Sequence, residues 1–304
     1  MRDIIPQLYR RKEEAGKLNN KCVKRAAYGK INLLLSIGGM RADGKHEVAT
    51  VLHKIGLYDI VSVIGTAASG ISVRCDNPKV PTDRRNLCYQ AAEEYFYAAG
   101  IDCGAVIEIT KRIPVTGGMG GGSSDCAATL LSLNEIYGAL SFEALFDIAC
   151  RLGSDVPFFM YEHRAMLGRG DGTDVIPCRE IKCDIYGLFV MRGEKGSTAN
   201  AYARLDKKRA AFPGVDFDLT RSADKMLSAL EKGKLSDILE AVENDFEICT
   251  PHFEETKAEL LRLGCYKAVL CGSGPTVCGF FTEPSNAAGA QGMLDLPSFI
   301  SKIN

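Results

Sequence analysis

A glycine-rich segment near the middle of the chain has the composition of a phosphate-binding loop. Five of the six residues from Gly117 to Gly122 are glycine, and the helix-forming stretch that follows opens with Ser123, Ser124 and Asp125. Consecutive glycines let backbone N–H groups approach a ligand closely. A helix N-terminus adds unsatisfied N–H donors and about half a positive charge. Together these features predict a cradle for phosphate.

The loop matches neither of the two commonest glycine-rich phosphate motifs. No Gly-Lys-Ser/Thr follows it, and the third glycine of a dinucleotide fingerprint would fall on Ser123. A strand-to-helix turn without a ligand would need one or two glycines rather than five, since each glycine costs entropy on ordering. Either Ser123 or Ser124 could cap the helix, and one hydroxyl could instead contact Mg²⁺ or a phosphate oxygen.

A second group of polar residues lies on an alternating segment from Lys24 to Ile37. Lys30 and Asn32 belong to one face of the predicted strand, which places them side by side. The same face carries Leu34 and Ser36, and the opposite face carries Ile31, Leu33, Leu35 and Ile37.

The elements that position these residues mix strands and helices without strict alternation, which favours an α+β fold. Strands are predicted at 57–64, 70–74, 105–111, 185–191, 267–271 and 276–281, and helices at 86–99, 123–137, 141–152, 221–233 and 235–247. The segment 38–44 is predicted to be a turn, and so is Asp171 in its glycine-rich context. Residues 1–20 are charged and show little periodicity, which predicts an N-terminal extension. A composition shift at 178–184 predicts the boundary between a first domain over 21–182 and a second over 183–304.

Length and charge exclude several classes of protein. The 304 residues correspond to about two domains, and 37 basic against 38 acidic residues give a net charge of −1. That balance disfavours partners such as nucleic acid or a membrane surface. The N-terminus has no secretory signal and no apolar stretch reaches about 20 residues. We therefore expect a cytoplasmic protein with a small-molecule substrate.

The twelve cysteines are the unusual feature of the composition. None forms a Cys-x-x-Cys pair, and the four histidines are scattered, so the sequence predicts no metal cluster. Most cysteines have apolar neighbours and are interpreted as small buried hydrophobic residues with free thiols. Cys126, just inside the helix after the glycine loop, is the thiol whose modification we expect to inhibit the protein.

The glycine loop with its flanks, Pro114 to Ala128, resembles the signature loop of the GHMP kinase superfamily, and its Gly-Ser-Ser-Asp form resembles the 4-diphosphocytidyl-2-C-methyl-D-erythritol kinases within it. Other motifs of that family follow in order, so the likeness covers residues 24–283. They lie at 27–35, 41–47, 81–87, 152–159, 168–171, 196–202, 243–247 and 272–277.

The resemblance implies a two-domain kinase, with an N-terminal ATP-binding α+β domain, a smaller ferredoxin-like C-terminal domain and the active site in the cleft between them. Asp155 would be the general base and Lys30 its neighbouring cation, which lowers the pKa of an aspartate. ATP would be bound, with Mg²⁺ bridging its phosphates, although the sequence reveals no metal ligands. The implied ATP-binding residues are Asn86, Pro114, Thr116, Gly117, Gly118, Met119, Gly120, Gly121, Gly122, Ser123, Ser124, Gly272, Ser273 and Gly274.

The family likeness also implies a substrate and the residues that bind it. The reaction would phosphorylate the 2-hydroxyl of 4-diphosphocytidyl-2-C-methyl-D-erythritol, an intermediate of non-mevalonate isoprenoid synthesis. His46 matches the histidine that contacts cytosine, with Asn32 nearby, and Thr198 and Tyr202 match positions at the cytidine end.

The chain departs from the family where an aromatic residue usually precedes the histidine, because Lys45 stands there. A lysine cannot stack on cytosine as an aromatic ring does, so a GHMP-type kinase for another small alcohol, such as homoserine or mevalonate, stays open. A milder departure is Ala27-Tyr-Gly-Lys in place of Ala-x-Ala-Lys. A non-catalytic nucleotide-binding protein is a further alternative, against which both Asp155 and Lys30 argue. Oligomeric state cannot be predicted.

Overall fold

The computed structural model describes residues 21–193, 196–211 and 218–304. The predicted extension over 1–20 lies outside these residues. The described residues divide into two compact units that interleave along the sequence. The first contains the described residues up to Ala27, Tyr58–Val115 and Gly121–Tyr161, and the second contains Tyr28–Leu57, Thr116–Gly120 and the described residues from Glu162 onward. The predicted division after residue 182 follows the order of the chain and stays a prediction.

Two long strands, β1 (Cys22–Met40) and β2 (His46–Thr66), contribute residues to both units. In the first unit, β4 (Gly104–Thr110) pairs antiparallel with the last part of β2 and parallel with β3 (Gly70–Cys75). Its helices are α1 (Leu87–Ala99), α2 (Gly121–Tyr137), α3 (Phe142–Leu152) and the short α4 (Val156–Phe159).

α1 and α3 form where the sequence predicts helices, and a polar side chain caps the N-terminus of each. The side chains of Asn86 and Ser141 accept backbone N–H bonds at the N-termini of α1 and α3. Gly100 ends α1 in the left-handed conformation, and Gly153 follows the last residue of α3.

The second unit contains a complete four-stranded antiparallel sheet. Its strands are β7 (Tyr186–Met191), β9 (Lys267–Leu270), β10 (Thr276–Phe281) and β11 (Ser298–Lys302), in the order β11-β7-β10-β9. Helices separate β7 from β9 and β10 from β11, which gives the β-α-β-β-α-β arrangement of ferredoxin-like folds. They are α5 (Thr198–Ala210), α6 (Leu219–Lys232), α7 (Leu235–Ala241), α8 (Phe253–Arg262) and α9 (Pro284–Gln291).

Three short strands add to the long strands within the second unit. β5 (Ala165–Arg169) pairs with Thr50–His53 of β2 and with β6 (Asp174–Pro177). β8 (Glu243–Asn244) pairs parallel with Leu34 and Leu35 of β1.

β2 begins at His46, eleven residues before the predicted strand at Leu57. Its first half includes Thr50, His53 and Lys54, all buried. These buried polar residues interrupt the apolar alternation on which the prediction depended. In β1 both faces are also buried, but Lys30, Asn32 and Ser36 all lie on one face, so the alternation is preserved.

The predicted helix over 235–247 is wrong beyond Ala241. Glu243–Asn244 forms β8, and a 3₁₀ turn follows over Asp245–Cys249. The Asn244 side chain accepts the N–H of Phe246 at 3.0 Å, which starts that turn. It also donates to the carbonyl oxygens of Leu270 and Gly272, so tertiary hydrogen bonds override local helix propensity here.

Among the residues that the structure describes, no helix combines the length and apolar character needed to cross a membrane.

Glu247, in the 3₁₀ turn, is expected to make the second unit sensitive to pH. Its carboxylate accepts the Leu270 N–H at 3.0 Å, and burial raises its pKa from 4.5 to about 7. Because the folded state then holds a proton that the unfolded state has released, stability falls as pH rises from about 4.5 to 7. Glu247→Gln keeps an oxygen for the Leu270 N–H and removes the charge.

We therefore expect urea denaturation to show Glu247→Gln gaining stability over wild type between pH 5 and pH 8. Asp245 is half-buried and also has a raised pKa, but it is unchanged in both proteins. A stability difference that does not vary with pH would contradict this account of Glu247.

Candidate active site

The first half of the glycine loop, Thr116–Gly120, is held by backbone contacts within the second unit. The Lys30 N–H donates to the carbonyl oxygen of Met119 at 2.9 Å. Gly118 and Gly120 have φ values of +79° and +71°, which glycine adopts readily. The loop backbone is thereby fixed beside Lys30, whose side chain is the predicted catalytic cation.

Gly118 packs directly on the loop between β9 and β10. A Cβ at Gly118 would overlap the carbonyl oxygen of Cys271 and lie 3.1 Å from that of Gly274. In the reverse direction, a Cβ at Gly272 would lie 2.9 Å from the Gly118 oxygen and 3.5 Å from Lys30 Nζ. The structure therefore brings together the predicted residues Gly118, Met119, Gly272, Gly274 and Lys30, and both loops need glycine because their backbones touch.

Lys30 and Asn32 form a buried hydrogen-bond chain on β1, as their predicted adjacency requires. Lys30 Nζ donates to Asn32 Oδ1 at 2.7 Å, and Asn32 Nδ2 donates to Thr50 Oγ1 at 2.8 Å. Thr50 in turn donates to the Leu34 carbonyl oxygen. The chain fixes the lysine side chain, and Thr50 was missed at the sequence level because it lies in the part of β2 that was not recognised.

The side chain of Asn244 fixes the backbone at the Cys271–Gly274 loop through two hydrogen bonds. Its Nδ2 donates to the carbonyl oxygens of Leu270 at 2.8 Å and Gly272 at 2.7 Å. The sequence signal for this positioning role was the family-like motif at 243–247, which gave no role to the individual residue.

The second half of the glycine loop belongs to the first unit and is already helical. α2 begins at Gly121, so Ser123 and Ser124 lie within its first turn and neither is the N-cap, which corrects that alternative. Ser124 is buried, whereas Ser123 is half-buried and Gly122 is exposed. The accessible polar groups at this helix end are therefore backbone N–H groups and the Ser123 hydroxyl.

A buried charge cluster supports the start of α2 within the first unit. Lys111 Nζ contacts Asp59 Oδ2 at 2.5 Å and Asp125 Oδ2 at 2.6 Å, with all three side chains no more than 5% exposed. Asp59 Oδ1 also accepts the N–H groups of Arg112 and Ile113. Lys111 and Asp59 were not singled out in the sequence, since neither lies in a recognised motif.

The cluster is unbalanced, because two carboxylates share one ammonium. Burial raises the pKa of the Asp125 carboxyl, with Asp59 adding to the effect and Lys111 opposing it. Oδ1 of Asp125 is buried and meets no hydrogen-bond partner among the described residues. The two carboxylates also raise the pKa of Lys111, although burial opposes this, so its ammonium stays charged.

All twelve cysteines lie in the described residues, and none of them forms a disulfide bond. Six are buried, five are half-buried and Cys22 is exposed. Cys126 is 0% exposed, and burial raises its pKa well above the usual range. Because the thiolate is the reactive form, this environment opposes the expected modification of Cys126.

Asn86 and Asp155 both lie at the starts of helices in the first unit. Asn86 is buried, donates to the Pro81 carbonyl oxygen and accepts the Cys88 N–H, so both ends of its amide are used locally. Asp155 is half-buried at the N-cap position of α4, and its side chain makes no capping hydrogen bond to that helix. Its catalytic pairing with Lys30 stays a prediction, as do the ligand roles of Asn86 and Pro114.

The predicted base-binding residues His46 and Tyr202 meet within the second unit. Their rings stack with centroids 4.7 Å apart and planes inclined by 19°. Tyr202 in turn contacts buried Phe246 edge-on at 5.0 Å. His46 Nε2 lies 3.0 Å from Asp206 Oδ1, a partner that the sequence analysis did not name. Thr198 is exposed at the first turn of α5.

Lys45 is occupied by an ion pair. Its Nζ lies 2.5 Å from Asp171 Oδ2 in the predicted turn between β5 and β6, and Asp171 also accepts from the N–H and hydroxyl of Thr173. Asp171 is partly buried, which opposes ionisation, yet these bonds lower its pKa to about 2. The lysine that replaces the family aromatic therefore connects the turn before β2 to the β5–β6 turn.

The contact of Gly118 predicts that alanine cannot replace it. Gly118→Ala places a methyl group on the Cys271 carbonyl oxygen at a positive φ, so we expect a loss of at least about 2 kcal/mol of folding free energy. Gly122→Ala is the matched control, because its Cβ would meet only Leu87 Cδ1 at 4.0 Å and alanine favours the helix. Thermal melting measures both, and an unchanged melting temperature for Gly118→Ala would exclude the close contact.

Comparisons with known proteins agree with the fold and the loop. The family model described as "GHMP kinases N terminal domain" matches residues 86–163, and "GHMP kinases C terminal" matches residues 226–295. The 4-diphosphocytidyl-2-C-methyl-D-erythritol kinase of Pelotomaculum thermopropionicum is 38% identical over 268 residues, which cover 86% of this chain and 90% of the relative.

Solved structures give the same result. A crystal structure of 4-(cytidine 5'-diphospho)-2C-methyl-D-erythritol kinase superposes with a TM-score of 0.75 at 30% identity, covering 92% of this chain and 98% of the other. Mevalonate kinase from L. major has a TM-score of 0.72 but only 17% identity, covers 94% and 97%, and shares the fold alone. The chain has the two-domain GHMP kinase fold, is a small-molecule kinase, and belongs to the 4-diphosphocytidyl-2-C-methyl-D-erythritol kinase family.

Proposed function

We propose that the protein transfers the γ-phosphoryl group of ATP to the 2-hydroxyl of 4-diphosphocytidyl-2-C-methyl-D-erythritol, giving the 2-phosphate and ADP. The main support for the proposal is the glycine loop, which is hydrogen-bonded to β1 beside Lys30 and Asn32. The chain is also 38% identical to a kinase named for this substrate. As part of the same proposal, the enzyme acts in the cytoplasm on this small molecule, without nucleic acid or membrane as partner.

The chain's own residues fit the phosphates of ATP. Glycines from Gly117 to Gly122 leave backbone N–H groups uncovered by side chains, and a Cβ at exposed Gly122 would meet nothing closer than 4.0 Å. The start of α2 adds N–H donors and the positive end of the helix dipole. We infer that this loop binds and orients the triphosphate, with Gly272, Ser273 and Gly274 fixing its shape from the second unit.

The residues also fit Mg²⁺ held mainly by phosphates. In the described part of the chain, no cluster of three or more acidic, histidine or cysteine side chains could hold a metal ion. Mg²⁺ commonly retains waters and binds substrate phosphates with one or two protein ligands. Ser123 is the serine accessible to such an ion, whereas Ser124 is buried. When bound, Mg²⁺ neutralises charge on the transferring phosphoryl group.

We assign the proton transfer to Asp155 and the electrostatic support to Lys30. Asp155 accepts the proton of the substrate hydroxyl as that oxygen attacks phosphorus. Lys30 is 3% exposed and fixed by Asn32, so its ammonium needs little reorganisation when negative charge develops. Asn32 is already hydrogen-bonded at both ends of its amide, so its main role is to orient Lys30.

We assign recognition of the cytidine end to His46, Tyr202 and Thr198. The aromatic contact missing at Lys45 is compensated by Tyr202, whose ring is held against Phe246. Lys45 is paired with Asp171 and takes no stacking role. These assignments favour a pyrimidine nucleotide substrate over homoserine or mevalonate, neither of which carries an aromatic base.

A coupled assay of ADP release tests the substrate assignment directly. We expect turnover with ATP and 4-diphosphocytidyl-2-C-methyl-D-erythritol, and none above background with homoserine or mevalonate. Absence of turnover with the cytidylyl substrate, together with clear turnover of another alcohol, would exclude the specific function. ATP binding without ADP release for all three would favour a non-catalytic nucleotide-binding protein.

Replacement of the general base tests the mechanism. Asp155→Asn keeps the shape and removes the proton acceptor, so we expect kcat to fall by about 10²–10⁴-fold while ATP affinity changes little. Asp147→Asn on α3 makes the same chemical change at an exposed position and should leave kcat unchanged. A near-wild-type kcat for Asp155→Asn would reject the role of Asp155.

A further inference from the structure

Helix α5 presents two side chains to His46 from successive turns. Tyr202 and Asp206 are four residues apart, so they lie on one face of the helix. Tyr202 stacks on the imidazole ring, and Asp206 Oδ1 lies 3.0 Å from Nε2. A single helix thus fixes both the plane of the imidazole and the nitrogen that faces the carboxylate.

The contact with Asp206 determines which nitrogen of His46 carries hydrogen. An ionised aspartate can only accept hydrogen bonds, so Nε2 must be the donor. In a neutral imidazole the other nitrogen, Nδ1, is then an acceptor. Among the described residues no hydrogen-bond partner meets Nδ1, which leaves that acceptor for a ligand.

The ring has little freedom to reverse this arrangement. The His46 side chain is 9% exposed, and the Tyr202 ring that covers it rests on Phe246, which is 2% exposed. The turn before β2 is also fixed, since the Arg41 N–H donates to the Lys45 carbonyl oxygen at 2.7 Å and Lys45 pairs with Asp171. Exchange of the two nitrogens would remove the hydrogen bond to Asp206.

We propose that Asp206 is a positioning residue that holds His46 as the Nε2–H tautomer and thereby selects a pyrimidine with an amino group over one with a carbonyl. The proposal rests on the proposed cytidylyl substrate. Cytosine presents the N4 amino donor where uracil-type bases present the O4 acceptor. An acceptor at Nδ1 complements the amino group of cytosine. With a uracil-type base, O4 and Nδ1 would face each other as two acceptors, which is costly when they are buried.

Kinetics with paired substrates test the proposal. For wild type, kcat/KM should favour the cytidylyl substrate over its uridylyl analogue. In Asp206→Asn the amide can donate as well as accept, so the tautomer is no longer fixed. We expect the cytidylyl-to-uridylyl ratio to fall about tenfold or more, through KM rather than kcat. Asp206→Glu should restore most of the ratio, and Asp224→Asn, an exposed carboxylate on α6, should not alter it.

Nitrogen NMR of the imidazole at pH 8 gives a readout that does not depend on turnover. The chain has four histidines, so His46→Gln assigns the signal. We expect the Nε2–H tautomer in wild type and a mixture in Asp206→Asn. Wild-type His46 in the Nδ1–H form, or an unchanged ratio in Asp206→Asn, would overturn the proposal.

The two hypotheses fail in different ways. If wild type does not turn over the cytidylyl substrate, the proposed function fails, while the tautomer and the relative affinities for CDP and UDP still test Asp206. Equal CDP and UDP affinities in both wild type and Asp206→Asn would overturn the role of Asp206 even if the kinase activity is confirmed.

Discussion

The close backbone packing of Gly118 on the Cys271–Gly274 loop is the constraint on which the rest of the candidate site depends. Gly118 lies so close to the Cys271–Gly274 loop that no Cβ fits, and Met119 is hydrogen-bonded to the Lys30 backbone. The loop that we assign to phosphate binding and the strand that carries Lys30 therefore cannot move independently. Phosphoryl transfer depends mainly on positioning and electrostatics. In the function that we propose, this close backbone packing therefore holds the loop and Lys30 in fixed positions.

Three asparagine side chains fix the segments that carry predicted site residues. Asn244 binds two carbonyl oxygens beside Gly272, Asn32 orients Lys30, and Asn86 caps α1. An amide both donates and accepts, so one buried residue can satisfy two neighbours without introducing charge. The charged counterpart is the cluster of Lys111 with two carboxylates beneath α2, where buried charge fixes the first turn of the helix at an electrostatic cost.

Sequence patterns predicted the strands and helices whose conformation is determined by residues close together in the chain. The alternation in β1 and the helix starts at Asn86 and Ser141 were predicted correctly, as was the juxtaposition of Lys30 and Asn32. The first half of β2 was missed because buried polar side chains hide its period, and the helix beyond Ala241 was wrong because Asn244 bonds to a distant strand. Positioning residues outside recognised motifs depend on contacts between distant segments, which no single-sequence pattern reports.

If His46 binds the base as we propose, its surroundings compensate for the substitution at Lys45. Lys45 removes an aromatic ring that the family usually has, yet its ammonium pairs with Asp171 and secures the turn that precedes β2. The aromatic surface is supplied instead by Tyr202 on α5, which is buttressed by Phe246. Because Asp206 follows one helical turn later, the helix that supplies this ring also sets the polarity of the imidazole. Base recognition then depends on a helix and a fixed turn, so losing one stacking partner need not change the substrate.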